Sequence, residues 1–597
     1  MPAVHGLARR VRPRLESPPA TALLAFVLLA VLLFRKAWSA PGGTWIGLGG
    51  DPPLHMWFLR WTPWALGHGM NPLFTHHINA PDGVNLMWNT AEPLTALVMA
   101  PVTLLIGVIP AYNVVITLAV ALSGWCFYLF IRRHVTHELA AVVGGLLYGF
   151  SPYMIGQALT HSNLVQAYIP PLLCIVAEDI LVHQRRSSRA SGALLGGLLA
   201  AQLFITEELV VYEVLALSVG ALVLAASHWR DVRPRVPHVL RSLGAGVVVA
   251  ALIVGGPLAF QFFGPRHPTH GVVFPPEALS ADVLSFVVPS DLQQVRPSWS
   301  HSVTDKFSNS CCIDEQGSYV GLPLLVLLIV TAARAWRRDL VKVAAVVGVC
   351  FLVLALGPHL HVGGVSTSTS MPRKLFDHVR LLQSVQPVRL MLVAWLAAAA
   401  LLAVFADAVL RRRHHAPMAV AGAAAGLLAL VPVLPTFRFP ATEANVPKFF
   451  TSAAVARVPR DSVVLVSPFA RDPSTSEPML WQAEARFRFR MPDGYILGPD
   501  ANRTFITLPE RTPLSEALAV PQRGEQAPPL TPELRQTYGY DLDRWGVTSV
   551  LVGRQLYEED VRAFMTELLG RSPERVDGVW LWRHVDGRQV ASAAGAG

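Results

Sequence analysis

Asp51 follows Gly49-Gly50 and precedes Pro52-Pro53, about a dozen residues past an apolar run. Glycines permit a tight turn and close backbone approach. A carboxylate there is held over a membrane face, where it can take a proton from a hydroxyl. The same Asp51 also reads as the cap of the following helix, with Pro52 in its first turn. The residues alone leave both readings open. Downstream, Asn71, His76, His77, Asn79, Asp82, Asn85 and Asn89 crowd one stretch, as a binding cavity beside a membrane would. Glu92 reads more simply as a charge partner for the helix that follows it.

More polar residues interrupt the apolar sequence. His161, Ser162 and Asn163 form a short turn between two apolar runs, and Pro170-Pro171 are expected to interrupt the helix that follows. His161 is either a site residue or a plain turn residue. Glu207 and Glu208 sit between two runs, with Glu213 just inside the next. Carboxylates at such depth usually face a cavity or a partner; a turn touching water is the alternative. Arg389 precedes another run, where it either snorkels or offers its fork to an anion. Arg373, Lys374 and Arg380 are weaker candidates of that kind. The long loop 264–318 holds Asp282, Asp291, Asp305, Asp314 and Glu315, in no spacing that matches an EF-hand. No GxSxG, Walker A or HExxH pattern occurs, so an ATP-driven pump is not expected. Of five cysteines, Cys126, Cys174 and Cys350 lie in apolar runs, and Cys311-Cys312 reads as two thiols used separately.

Of the 597 residues, 52% are apolar and 15% charged. A soluble protein carries about 25% charged residues, so a single soluble globule and a disordered chain are both excluded. The apolar runs end near Leu434. The net charge of +9 resolves into −1 for residues 436–597 and +10 for 1–435. The excess belongs to membrane loops, and no nucleic-acid partner is needed to explain it.

Eleven candidate spans follow: Ala20–Trp38, 111–131, 138–156, 164–182, 191–206, 209–227, 242–263, 319–333, 340–357, 390–410 and 416–434. Numbered from an uncleaved first helix, alternate loops carry 20 Lys/Arg in 61 residues against 10 in 172. That bias sets the N-terminus, with Arg9, Arg10, Arg12 and Arg14, on the cytoplasmic side. Pro93–Pro110 would reverse every later loop if it crossed, so it is expected as an interfacial or re-entrant helix in the outer leaflet. The four tryptophans Trp45, Trp57, Trp61 and Trp64 are expected as an interfacial anchor. The tail reads as a small α/β domain, with strands at Ser462–Ser467, Val547–Val552 and Gly578–Trp582 and a helix at Glu558–Leu569. Its paired carboxylates, such as Asp541 and Asp543, read as solvated surface, and the final ASAAGAG as a frayed end.

Several stretches resemble one family of membrane proteins: GGDPPLHMW (Gly49–Trp57), NPLFTHHINAPDGVNLMW (Asn71–Trp88), the stretch Gly149–Leu172 with GFSPY and THSN, and SVQPVRLM (Ser384–Met391). With the layout of a first helix, a long outer loop opening on an acidic residue, many apolar helices and an outer C-terminal domain, the chain resembles the GT-C glycosyltransferases of bacterial membranes. The resemblance covers most of residues 40–410. It implies a polytopic α-helical membrane protein of about eleven helices (domain 1–435, outer loop 1 at 39–110), with an extracytoplasmic α/β domain at 436–597. It further implies transfer of a hexose or pentose from a polyprenyl-phosphate donor to a cell-envelope glycan or lipid acceptor, in the bilayer of the bacterial cell membrane. Asp51 would be the base and Arg389 a contact for the leaving phosphate. His161, Glu207, Glu208, His76, His77, Asp82 and Asn85 would line the substrate site, with a divalent cation as an open option. Many GT-C proteins show two adjacent acidic residues where this chain has Gly50-Asp51. A transporter or flippase of lipid-linked saccharides and a non-catalytic assembly protein are the rival classes. No internal repeat supports transport.

Overall fold

The computed structural model describes residues 19–412, 416–527 and 529–592. The N-terminal arginines, Arg413 and the last five residues lie outside the described residues. Six helices among the described residues are long and apolar enough to cross a membrane: Val108–Ile131, Ser162–His183, Glu207–Ser227, Trp229–Phe263, Pro387–Arg411 and Ala416–Val433. Shorter helices occupy the remaining candidate spans: Pro19–Leu33, Glu138–Gly149, Ser188–Leu203, Leu322–Ala335 and Asp339–Ala355. A fifteen-residue helix such as Pro19–Leu33 is only about 22 Å long, below the ~30 Å of a hydrocarbon core. Large apolar side chains stand outward along the long helices, with Leu252 81% and Leu222 69% exposed. Water would penalise such rows and lipid does not. The chain is a polytopic helical membrane protein. Pro93–Leu105 has 13 residues, about 20 Å of helix, which is too short to span.

The chain forms two compact units. The first gathers residues up to Ser39 with Asn113–Gly255 and Phe274–Ala441; the second gathers Ala40–Tyr112, Gly256–Val273 and Thr442–Gly597. The first outer loop read from the sequence therefore packs with the tail rather than with the membrane helices.

In the first unit Met391–Arg411 is the central helix, buried along most of its length. It packs on Glu138–Gly149 and Asp339–Ala355. Ser188–Leu203 meets Val236–Phe263 through a GxxxG pair, Gly192 and Gly196. A Cβ on Gly196 would lie 2.2 Å from the Gly246 carbonyl oxygen. Only glycine permits that approach, the small-residue packing that membrane helices use where lipid offers no hydrophobic drive. Pro170 and Pro171 lie in the first turn of Ile169–Glu178. The span Ser162–His183 is interrupted at 166–168, just before them, and the helix restarts with the prolines in its first turn, where they give up no intrahelical donor.

In the second unit a four-stranded sheet runs in the order Glu574–Val576, Val579–Arg583, Val547–Val552, Val463–Ser467. Val547–Val552 pairs in parallel with Val463–Ser467 and antiparallel with Val579–Arg583, with Leu551 opposite Leu581. The helix Glu558–Leu569 buries Val561, Phe564, Met565 and Leu568. On the other face lies Pro52–Gly67, the Trp-rich helix. Trp57 and Trp61 are fully buried and stacked, ring centroids 5.2 Å apart, with Phe487 edge-on to both. Trp57 Nε1 donates to Gln482 Oε1 at 2.7 Å. The interfacial anchor expected there is thus corrected. The helix is buried on most of its surface, His55 and Arg60 included, and forms part of the second unit's core.

Candidate active site

Four separated segments of the first unit bring polar side chains together. Ser151 caps the helix Pro152–Gln157, its Oγ accepting from Met154 N. This short helix delivers Tyr153 and Gln157, and the turn after it Thr160 and His161. Glu208 lies in the first turn of Glu207–Ser227. Asp314 and Glu315 end the turn Ile313–Glu315, and Arg389 sits in the turn Pro387–Leu390 that opens the central helix. Gly156 lets the first and third segments close on each other, since a Cβ there would lie 2.5 Å from the Asp314 carbonyl oxygen.

Arg389 joins two of these segments. Its Nε donates to Glu315 Oε1 at 2.7 Å and its Nη1 to Glu208 Oε2 at 2.8 Å. Tyr212 also donates to Glu208, and Gln157 Nε2 reaches Glu315 Oε2 at 3.3 Å. Thr160 Oγ1 donates to Asp314 Oδ2 at 2.8 Å, and His161 Nδ1 lies 3.3 Å from the same oxygen. His161, Asp314 and Glu315 each turn one ligand atom to a common point, all within 4.8 Å of one another. Glu315 is 2% exposed at its side chain and Asp314 only 15%, so neither is an ordinary surface acid.

Charge decides what this cluster binds. Three acidic side chains, Glu208, Asp314 and Glu315, stand beside one guanidinium, an excess of two acidic groups. Burying that charge without a partner is costly, and a divalent cation would offset it. The donor set of one imidazole and carboxylate oxygens suits such an ion. Two buried atoms beside it have no partner among the described residues, Gln157 Oε1 and the Tyr153 hydroxyl. Tyr153 lies within electrostatic reach of Glu208, Arg389 and Glu315.

The expected residues are distributed unevenly. His161, Glu208 and Arg389 meet here. Glu207 lies one position before Glu208, at the helix start. Arg389, weighed as a phosphate contact or a snorkelling residue, is held between two carboxylates. Arg373, also weighed for phosphate, is fully buried and donates to the Leu382, Gln383 and Val385 carbonyls, so it holds a loop. Sequence reasoning undervalued Asp314 and Glu315 and missed Gln157, Thr160 and Tyr153. The only signal was the density of polar residues in 151–163, because cross-chain spacing is invisible before folding.

The other candidates belong to the second unit and are mostly structural. Asn85 is buried; its Oδ1 accepts from Met87 N and its Nδ2 donates to the Phe260 and Pro265 carbonyls, 3.2 Å each. Asn89 exchanges two hydrogen bonds with the Leu497 backbone. His77 is packed among Trp61, Trp64 and Phe487. Burial pushes its imidazole down to about 4, so it stays neutral, a core residue rather than a ligand contact. His76 and Asp82 are exposed, and His76 Nδ1 lies 2.9 Å from the Pro81 carbonyl oxygen. Asp51 occupies the N-cap of Pro52–Gly67 without a side-chain cap hydrogen bond, so the simple capping reading does not describe its carboxylate. His55 Nδ1 lies 2.7 Å from Glu92 Oε1, both buried.

The family model described as Domain of unknown function (DUF6311) matches residues 21–433. No curated protein matches the sequence. Among solved structures, arabinofuranosyltransferase AftD from Mycobacteria is 15% identical with a TM-score of 0.46, over 95% of this chain and 40% of that one. ArnT from Cupriavidus metallidurans, bound to undecaprenyl phosphate, is 12% identical with a TM-score of 0.45, over 95% and 99%. Oligosaccharyltransferase AglB from Archaeoglobus fulgidus, in complex with an inhibitory peptide and a dolichol-phosphate, is 12% identical with a TM-score of 0.47, over 90% and 69%. The present chain spans less than half the length of AftD.

Proposed function

The chain belongs to the family described as Domain of unknown function (DUF6311), and we propose that it is a membrane glycosyltransferase of GT-C type. It moves a sugar from a polyprenyl-phosphate donor to a glycan or lipid acceptor. The observation that supports this best is the buried cluster of His161, Asp314 and Glu315, with Arg389 fixed between Glu315 and Glu208. Such a cluster at the end of membrane helices suits a substrate whose phosphate lies at headgroup depth.

His161, Asp314 and Glu315 would hold a divalent cation, with the side-chain amide oxygen of Gln157 near them. When bound, the ion supplies positive charge to the departing phosphate. Arg389 holds both glutamates in place through its hydrogen bonds. Tyr153 offers its unpartnered hydroxyl to a sugar oxygen. In the transfer itself the acceptor hydroxyl loses its proton as its oxygen bonds to the anomeric carbon. The bond from that carbon to the phosphate oxygen breaks, and polyprenyl phosphate leaves with the electron pair. A phosphate leaving group needs no proton, so one base suffices. Asp51 is the base proposed from the sequence resemblance.

The test is transfer of label from radiolabelled polyprenyl-phosphate sugars in membranes, wild type beside Asp51→Asn, with folding checked by size exclusion. Transfer by wild type alone supports both the class and the base. Equal transfer by both proteins keeps the class and removes Asp51 from the chemistry. No transfer by wild type across a broad donor panel returns the weight to a flippase or an assembly protein.

A further inference from the structure

The first unit holds a second feature that glycosyl transfer does not use. A cavity of about 560 Å³ runs among the helices Ile169–Glu178, Glu207–Ser227, Asp339–Ala355 and Met391–Arg411, within the size range of ligand sites. Along Glu207–Ser227 its wall extends from Glu213 to Leu224, about 16 Å of helix. Between these points the wall is Ala216, Leu217, Gly220 and Ala221, small and apolar. Wall charge is concentrated at the ends. At one end stand Arg133, Arg337, Arg338 and Arg411. Arg133 is paired to Glu178 at 3.0 Å and Arg411 to Asp407 at 2.7 Å, and Asp339 is engaged by His228 and Lys342. Arg338 donates to the His134 carbonyl at 2.6 Å. Arg337 is exposed and makes no ion pair among the described residues. Two positive charges at this end are therefore unmatched. At the other end Glu213 is 4% exposed, and neither carboxylate oxygen has a partner.

We propose that this cavity binds an anionic phospholipid of the bilayer, its phosphate at Arg337 and Arg338 and one acyl chain between the helices. Basic pockets between membrane helices select anionic headgroups in this way. The arginine fork suits a phosphate, and the small apolar wall suits a chain. Orientation follows from the charge asymmetry, because the unmatched arginines stand at one end only, while at the far end Glu208 is already paired with Arg389. The basic end is also where the sequence places the loops richest in Lys and Arg, so the lipid comes from the leaflet on that side. It is a resident lipid, separate from the sugar donor.

The experiment is native mass spectrometry of the delipidated full chain, titrated with phosphatidylglycerol and phosphatidylcholine of identical chains. Phosphatidylglycerol is expected to bind at least about tenfold more tightly, from roughly 1 kcal/mol for each unmatched arginine. Arg337→Gln should shrink that preference several-fold while leaving sugar transfer unchanged. Ala216→Phe, which fills the cavity, should weaken both lipids; Ala221→Leu serves if the larger residue prevents folding. Equal binding of the two lipids overturns the headgroup assignment. Undiminished phosphatidylglycerol binding in the filled variants overturns the cavity as its seat.

Discussion

Arg389 Nε lies 2.7 Å from Glu315 Oε1, although 74 residues separate them in the chain. This contact ties the start of the central helix to the end of the long loop 264–318. With Glu208 on its other side, Arg389 is a strut between carboxylates. Removing one member of a buried ion pair costs about 3–5 kcal/mol, because the remaining charge is stranded. Arg389→Gln should therefore lower the unfolding temperature in detergent substantially. Adding Glu315→Gln to Arg389→Gln should recover part of the loss. A double variant no more stable than the single one would show that the pair is not a stabilising contact.

Cation binding to the folded state raises its stability by mass action, about 2.7 kcal/mol at a hundredfold excess over Kd. Mn²⁺ should raise the unfolding temperature of the wild type, and EDTA should reverse the rise. Asp314→Asn and His161→Ala should abolish the shift. Asp305→Asn, an exposed acid of the same loop, should keep it. A shift retained in all three variants would place the ion elsewhere.

The apolar runs located the six long helices because a run of about 20 apolar residues acts locally. The strands at Val463 and Val547 are legible for the same reason. The Trp-rich helix was misplaced, since tryptophan is at home both at a membrane interface and in a core, and composition does not separate the two. The site was half legible. His161, Glu208 and Arg389 stand out as polar residues beside apolar runs. Asp314 and Glu315 sit in a loop rich in acids, where only the approach permitted by Gly156 distinguishes them from Asp291 or Asp305. The asparagines of 71–89 drew attention as ligand contacts but spend their amides on backbone groups.

Asn85 provides a structural contrast to the cluster. Its amide satisfies the Phe260 and Pro265 carbonyls, and leaving buried acceptors unpaired costs about 1–3 kcal/mol. Asn85→Ala should lower stability by that order while activity per folded molecule stays near that of the wild type. A selective loss of activity with unchanged stability would return Asn85 to the substrate site.

Asp493 gives the second unit a dependence on pH. Complete burial pushes its carboxyl up to about 8, while in the unfolded chain it titrates near 3.9. Between those values the native state holds a proton that the unfolded state has released, so stability falls as pH rises from about 4 to about 8. Asp493→Asn keeps an acceptor for the Ala470 amide and removes the titration. It should stabilise the protein at pH 8 more than at pH 5 in thermal unfolding. An equal effect at both values would mean that the native carboxyl is ionised throughout.

The most direct test of the central claim is sugar transfer by wild type and Glu315→Gln at matched folded concentration, with Mn²⁺ added or chelated. The account predicts transfer by the wild type, dependent on the added ion, and a fall of about a hundredfold or more in the variant, the order lost when one charge-stabilising group is removed from such a site. Equal transfer by both proteins, indifferent to chelation, would contradict it.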